Sequence, residues 1–229
     1  MFDIKLNPGL QYKGFGDRLD AIGLAKYLYD KYNQPVTIHI FGGQFSNFIS
    51  MSKLFEMKCS LKNHPKMSAN FVEFDSYFRH DQKCFEYKQM IDEITDFPKI
   101  TPKDLNLELP DKFVVAQFDA LQSKRCVSPK ERNRIINYYK EQGCEIIIIG
   151  SESKDTRFGG GPECNDNIIY AMSKADKYIG VDSGMMNLAK FVMPIQNLHV
   201  YTDDRVQDPF FSSFLSNCQK KGAKVNYSR

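Results

Sequence analysis

No run of apolar residues in this 229-residue chain approaches the roughly 20 that a membrane-spanning helix needs. The N-terminus MFDIKLNPG also lacks the basic region and long apolar stretch of a secretory signal. The expectation is a soluble, cytoplasmic protein. Charge of one sign is scarce too, since 31 Lys and Arg against 28 Asp and Glu leave a net +3. That balance permits contact with phosphates but is not the strongly basic surface of a dedicated nucleic-acid binder. The six cysteines, Cys59, Cys84, Cys126, Cys144, Cys164 and Cys218, form no C-x-x-C pair. The four histidines, His39, His64, His80 and His199, are equally dispersed. This argues against structural zinc and a disulfide framework, and no bound metal is predicted. His39 and His199 lie in strand-like runs, where a buried imidazole with a satisfied hydrogen bond is the expectation.

What is present is an ordinary globular composition, 42% hydrophobic and 26% charged, in a length that suits one large α/β domain or two compact ones. Phe2–Leu6 reads as a strand. A glycine-containing loop, Gly9–Gly16, follows it. Ala21, Leu24, Ala25, Leu28 and Tyr32 then recur at helical spacing, which predicts a helix over 17–32 with that stripe against a core. Val36–Phe41 is a strand closed by Gly42 and Gly43, giving a β-loop-α-β unit. Beyond it, Phe45–Phe55 suits a helix and Phe71–Phe74 a short strand, whereas 77–95 has no clear period. The three prolines of Asp96–Asp111 (DFPKITPKDLNLELPD) mark a linker, so domains are expected over 1–100 and 111–229.

The second half alternates strand and helix. Phe113–Phe118 (FVVAQF) is a continuous apolar run suited to a strand covered on both faces. Ser128 as N-cap, Pro129 at the first helical position and Glu131 completing a capping box open a helix that Gly143 stops. Cys144–Ile149 (CEIIII) is the next strand. Asn167–Ala175, Lys177–Val181, Ser183–Val192 and Leu198–Tyr201 read as helix, strand, helix and strand, followed by a helix near 210–221 and a strand over Lys224–Tyr227. Such alternation predicts a parallel sheet with right-handed crossovers.

In open parallel sheets ligands bind beyond the carboxyl ends of the strands, where helix N-termini present unpaired N–H groups. Three strand ends carry distinctive residues: Gly14–Asp17, Gly150–Glu152 and Asp182–Gly184. The last is the best anion site. Ser183 and Gly184 let backbone amides approach a diphosphate, and the following helix, with Met185, Leu188, Ala189 and Val192 facing the core, supplies its positive end. By spacing alone, Asp182 as a helix N-cap and Gly184 as a packing residue account for the pattern equally well.

The block Ala175–Ala189 (ADKYIGVDSGMMNLA) resembles the D-S/T-G-x-x-H-L-A motif of the lipopolysaccharide heptosyltransferase family. Gly14-Phe15-Gly16-Asp17 resembles that family's N-terminal G-D motif, and Ile149-Gly150-Ser151-Glu152 its strand-end G-x-E. Lys124 or Arg125, after FVVAQF, stands where the family has a basic residue near the donor phosphates. The likeness covers the C-terminal half and the N-terminal half to about residue 42. It implies an α/β protein of GT-B type, two Rossmann-like parallel-sheet domains with a cleft between them. The implied activity is inverting, metal-independent transfer of a sugar from a nucleotide-diphosphate donor to a saccharide hydroxyl, with no cofactor beyond the nucleotide sugar.

On that resemblance Asp17 is the general base, Lys124 or Arg125 offsets charge on the departing diphosphate, and Glu152 accepts hydrogen bonds from ribose or sugar hydroxyls. Gly150, Asp182, Ser183, Gly184 and Asn187 complete the donor site. Each has a plainer reading: Asp17 as a helix cap, Lys124 and Arg125 as solvated charges, Glu152 as a loop carboxylate. Asn187 stands where the family has histidine; it donates a hydrogen bond but carries no charge. Asp203-Asp204 reads as a solvated turn rather than a metal pair, and Gly159–Pro162 as a loop that covers a ligand or simply connects.

Three other functions fit less of the chain. In a nicotinamide enzyme, G-F-G-D-R-L would need a third glycine where Leu19 stands, and an acidic residue after VTIHIF. The aromatic and basic stretch Phe71–Lys88 suits a glycosyltransferase that modifies bases in DNA, or alternatively fills a small core. Asn187 and the short N-terminal half also suit a nucleotide-sugar-binding protein without turnover.

Overall fold

The strand FVVAQ holds the key to the larger sheet. Phe113, Val114, Val115 and Ala116 are all buried, which requires neighbours on both edges and layers on both faces. The computed structural model supplies them. It describes residues 2–6, 15–33, 35–41, 52–57, 59–64, 97–120, 125–159, 166–203 and 218–228, and the chain divides into two units, Met1–Thr101 and Pro102–Arg229.

In the first unit, β1 (Phe2–Leu6), β2 (Val36–Phe41) and β3 (Cys59–His64) form a parallel sheet in the order β1-β2-β3. Helix α1 (Phe15–Tyr32) connects β1 to β2. Among its described residues, Phe15, Arg18, Leu19, Ile22, Ala25 and Leu28 bury their side chains. The helix therefore begins two residues before the predicted start, and of the predicted stripe the side chains of Ala21 and Leu24 lie outside the described residues. Tyr32, read from spacing as its last member, is instead 46% exposed; it sits on the final residue of the helix, past the end of the packed face. Strand β3 is not anticipated in the sequence reading, because CSLKNH is a polar run with a single strongly apolar residue. It is fixed by its ladder to β2 and by a hydroxyl pair, Thr37 Oγ1 to Ser60 Oγ, 3.0 Å apart.

The second unit holds β4 (Phe113–Gln117), β5 (Glu145–Ile148), β6 (Lys177–Val181), β7 (Leu198–Asp203) and β8 (Lys224–Ser228), all parallel, in the order β5-β4-β6-β7-β8. Strand β5 is an edge strand, so its isoleucines are half-buried despite their apolar character. Helix α2 (Pro129–Glu141) follows β4. Ser128 caps it by accepting from Glu131 N at 3.3 Å, and Gly143, with φ +70°, ends it in the left-handed conformation glycine tolerates. Glu131 does not complete the predicted box. Its carboxylate is taken by Arg134 at 2.6 and 2.8 Å, and that pairing holds the Glu131 carboxyl below its usual range.

Helices α3 (Asp166–Lys174) and α4 (Gly184–Val192) follow β5 and β6 and lie against one another. On the α2 side, Ile135 and Tyr139 pack on Val114, Ala116, Ile179 and Val181. The alternate residues Val115, Gln117, Tyr178 and Gly180 consequently face the other side of the sheet. His199 has the satisfied imidazole expected of it, its Nδ1 lying 2.7 Å from Tyr139 Oη. Among the described residues no helix is long and apolar enough to cross a membrane. The expected strand Phe71–Phe74, the aromatic and basic stretch Phe71–Lys88, Cys84, Cys164, Asp204 and most of the 210–221 helix lie outside the described residues.

Candidate functional site

The strand order reverses at β4: the chain leaves β4 for β5 on one side, then returns past it to β6. At such a switch point the flanking connections diverge to opposite faces, leaving a crevice beyond the carboxyl ends of β4 and β6. Gln117 is the last residue of β4 and pairs in register with Gly180 of β6. A polar residue there closes an otherwise apolar strand.

Ser183 joins the two strands. Its Oγ lies 2.6 Å from Gln117 Oε1 and caps α4 by accepting from Met186 N at 3.4 Å. The cap is thus Ser183, and Asp182, the sequence reading's alternative, is free of that task. With its oxygen accepting from the helix, the Ser183 hydroxyl spends its proton on Gln117, so the side-chain oxygen of Gln117 must face it. The Tyr178 hydroxyl reaches the same oxygen at 3.4 Å. Tyr178 is fully buried, and that burial pushes its phenol well above its ordinary value, keeping it a donor. Both bonds turn the Gln117 amide nitrogen toward Gly150, where a Cβ would come 3.4 Å from it. Gly150, buried and with φ +80°, begins a single 3-10 turn, Gly150–Glu152, at the end of β5.

Two ionic contacts flank this centre. Arg125 Nη1 lies 3.4 Å from the Asp182 carbonyl oxygen and 3.8 Å from its carboxylate. Glu152 accepts from the backbone N–H of Phe118 and Asp119 at 2.8 and 2.9 Å, and from Arg132 Nη1 at 2.6 Å. Its side chain is only 6% exposed.

The structure therefore gathers Arg125, Gly150, Glu152, Asp182 and Ser183 at the ends of three adjacent strands, with Gly184 beginning α4. Asn187 lies one turn further along α4, its N–H bonded to Ser183 O at 3.1 Å and its Oδ1 accepting from Lys190 Nζ at 3.2 Å. Lys190 is itself 1% exposed. Helix α4 is buried around most of its girth, Met186 and Phe191 joining Met185, Leu188 and Ala189, whereas Val192 is only half-buried. Asp17 is in the first turn of α1, in the first unit; Lys124 and the side chain of Asp17 lie outside the described residues. Gln117, Tyr178 and Arg132 are absent from the sequence-derived site. Among the described residues no three His, Cys, Asp or Glu side chains cluster as a metal site would require.

No family model and no curated protein matches the chain. Among solved structures it is similar to the bacterial iron-containing dodecameric glycosyltransferase TibC from enterotoxigenic E. coli H10407. The TM-score is 0.59 at 12% identity, over 88% of this chain and 57% of that one. It is also similar to the dodecameric iron-containing heptosyltransferase TibC in complex with ADP-D-beta-D-heptose, with a TM-score of 0.54 at 12% identity over 87% and 57%. At this identity the likeness is one of fold, an α/β fold with parallel sheets, and the chain spans 57% of the length of these neighbours.

Proposed function

We propose that the chain is a glycosyltransferase of GT-B type, its two units being the two Rossmann-like halves, and that it takes a nucleotide-diphosphate sugar at the ends of β4 and β6. The observation that carries this reading is the convergence of Arg125, Gly150 and the Ser183-capped N-terminus of α4 on the switch point of the second sheet. A cation and free helix amides are what a diphosphate needs. The TibC complex with ADP-D-beta-D-heptose supports a nucleotide sugar as the ligand class.

In the reaction the acceptor hydroxyl oxygen attacks the anomeric carbon, with inversion. The bond from that carbon to the diphosphate oxygen breaks, and the nucleoside diphosphate leaves with the electron pair. The hydroxyl proton passes to Asp17, a role carried by the G-F-G-D resemblance. Lys124 or Arg125 offsets charge growing on the leaving diphosphate. Gly184 lets the chain approach it closely, Asp182 holds Arg125, and Asn187 donates a neutral hydrogen bond. No step requires a metal.

Calorimetric titration with a panel of nucleotide sugars tests the reading. A cognate donor should bind the native chain, and Gly184→Val should weaken it; unaltered affinity in that variant would remove the diphosphate from this helix. Donor hydrolysis or transfer then separates an enzyme from a nucleotide-sugar-binding protein, the reading that the uncharged Asn187 favours.

A further inference from the structure

The carboxylate of Glu152 is spent inside the protein. One oxygen receives two consecutive backbone N–H groups, Phe118 and Asp119, and the other receives Arg132. A ribose hydroxyl would have to displace one of these charge-assisted bonds at a side chain 6% exposed. The two amides sit where β4 ends and the loop leading to Arg125 begins. The far end of that loop is tied back by Val127 N to Phe118 O at 2.9 Å, and by Cys126 Sγ, which lies 3.4 Å from Ala120 N and 3.5 Å from Ala120 O. Arg132 arrives from α2 with its guanidinium over the Phe118 ring, 5.2 Å from the centroid. The 3-10 turn after β5, the exit of β4 and the first turn of α2 thus meet on one carboxylate.

We infer that Glu152, clamped by Arg132, is a positioning residue that sets Arg125 against the donor phosphates and makes no contact with the ribose or the sugar. The inference rests on the nucleotide-sugar reading of the site. It assigns to the Glu152–Arg132 pair an effect on phosphate recognition delivered through Arg125, whose guanidinium is 3.4 Å from the Asp182 carbonyl on the other side of the crevice.

The test compares ligands that share a ribose and differ in phosphate. Ligand-observed NMR measures binding of ADP, UDP and GDP and of adenosine, uridine and guanosine to the wild type, Glu152→Gln and Arg132→Lys. Glu152→Gln should weaken the diphosphate that the wild type binds by roughly tenfold or more, the loss of a hydrogen bond to a charged group, with the matching nucleoside unaffected. Arg132→Lys keeps the charge but loses the planar fork, should shift affinity in the same selective way, and stands in should Glu152→Gln fail to fold. Equal loss for nucleoside and diphosphate would put Glu152 on the ribose and overturn the inference, as would no loss for either. A wild type that binds no member of the panel would instead overturn the nucleotide-sugar reading itself.

Discussion

A Cβ placed on Gly180 would come 2.5 Å from the hydroxyl of Tyr178, because the Tyr178 ring lies along β6 over the residue two places on. The same atom would be 2.7 Å from the backbone oxygen of Gln117 on the neighbouring strand. Glycine at 180 is therefore what lets a buried tyrosine deliver its hydroxyl to the end of β4, and what lets β4 and β6 approach beneath the candidate site.

Gly180→Ala should destabilise the protein by about 1–3 kcal/mol, the range for overpacking a filled interior. Rotating Tyr178 relieves only one of the two contacts, since Gln117 O belongs to the backbone. Urea unfolding measures the loss. A variant as stable as the native chain would mean the ring does not occupy the space above residue 180.

Ser183 performs two tasks with one oxygen, so its replacement should be felt twice. Ser183→Ala removes the cap on α4, at a cost of about 1 kcal/mol, and releases the Gln117 amide from its 2.6 Å bond. Ser183→Thr keeps both bonding functions. Unfolding should rank the three chains native, Thr, Ala, and nucleotide-sugar affinity should follow the same order. An alanine variant with native affinity would detach the cap from the ligand site.

The features readable from sequence were those that local chemistry fixes. Ser128, Pro129 and Gly143 bracket α2 because capping and positive φ are properties of single residues. FVVAQF announces a central strand because burial on both faces leaves no room for alternation. The strand ends and the motif resemblance point to Arg125, Gly150, Glu152, Asp182 and Ser183, and the fold brings them together. What escaped depends on partners distant in the chain. Gln117 looked like part of an apolar run; its position as the last, polar residue of that strand was the available signal. Arg132 carries no strand-end or motif signal; as a cation in a first helical turn it opposes the dipole, and it is held by Glu152, 20 residues away in sequence. Lys190 is buried because neighbours surround α4, which no periodicity within nine residues reveals.

Asp17→Asn should cut turnover by roughly a hundredfold or more, the usual contribution of a positioned general base, with nucleotide-sugar affinity unchanged. The substitution keeps shape and removes basicity. Steady-state transfer kinetics beside a donor titration separates the two effects, and native turnover would remove Asp17 from the reaction.

His199 gives the stability a calculable pH dependence. Burial, and then the nearby charges of Lys177 and Lys224, lower its pKa from 6.5 to about 4. The Tyr139 hydroxyl and His199 Nδ1 share a hydrogen bond of 2.7 Å, and the half-buried ring is held in its neutral form by that burial and the two lysines. In the unfolded chain the ring takes its proton near the ordinary value, so between these two values the unfolded state binds the extra proton. The contribution is fully present above about 6.5 and is lost as pH falls toward about 4. Melting temperature should decline across that interval in the native chain. His199→Gln, which has no proton to gain, should show a shallower decline over the same range. Parallel profiles for the two chains would mean that the ring titrates alike folded and unfolded, which a half-buried imidazole bonded to Tyr139 and flanked by two lysines should not do.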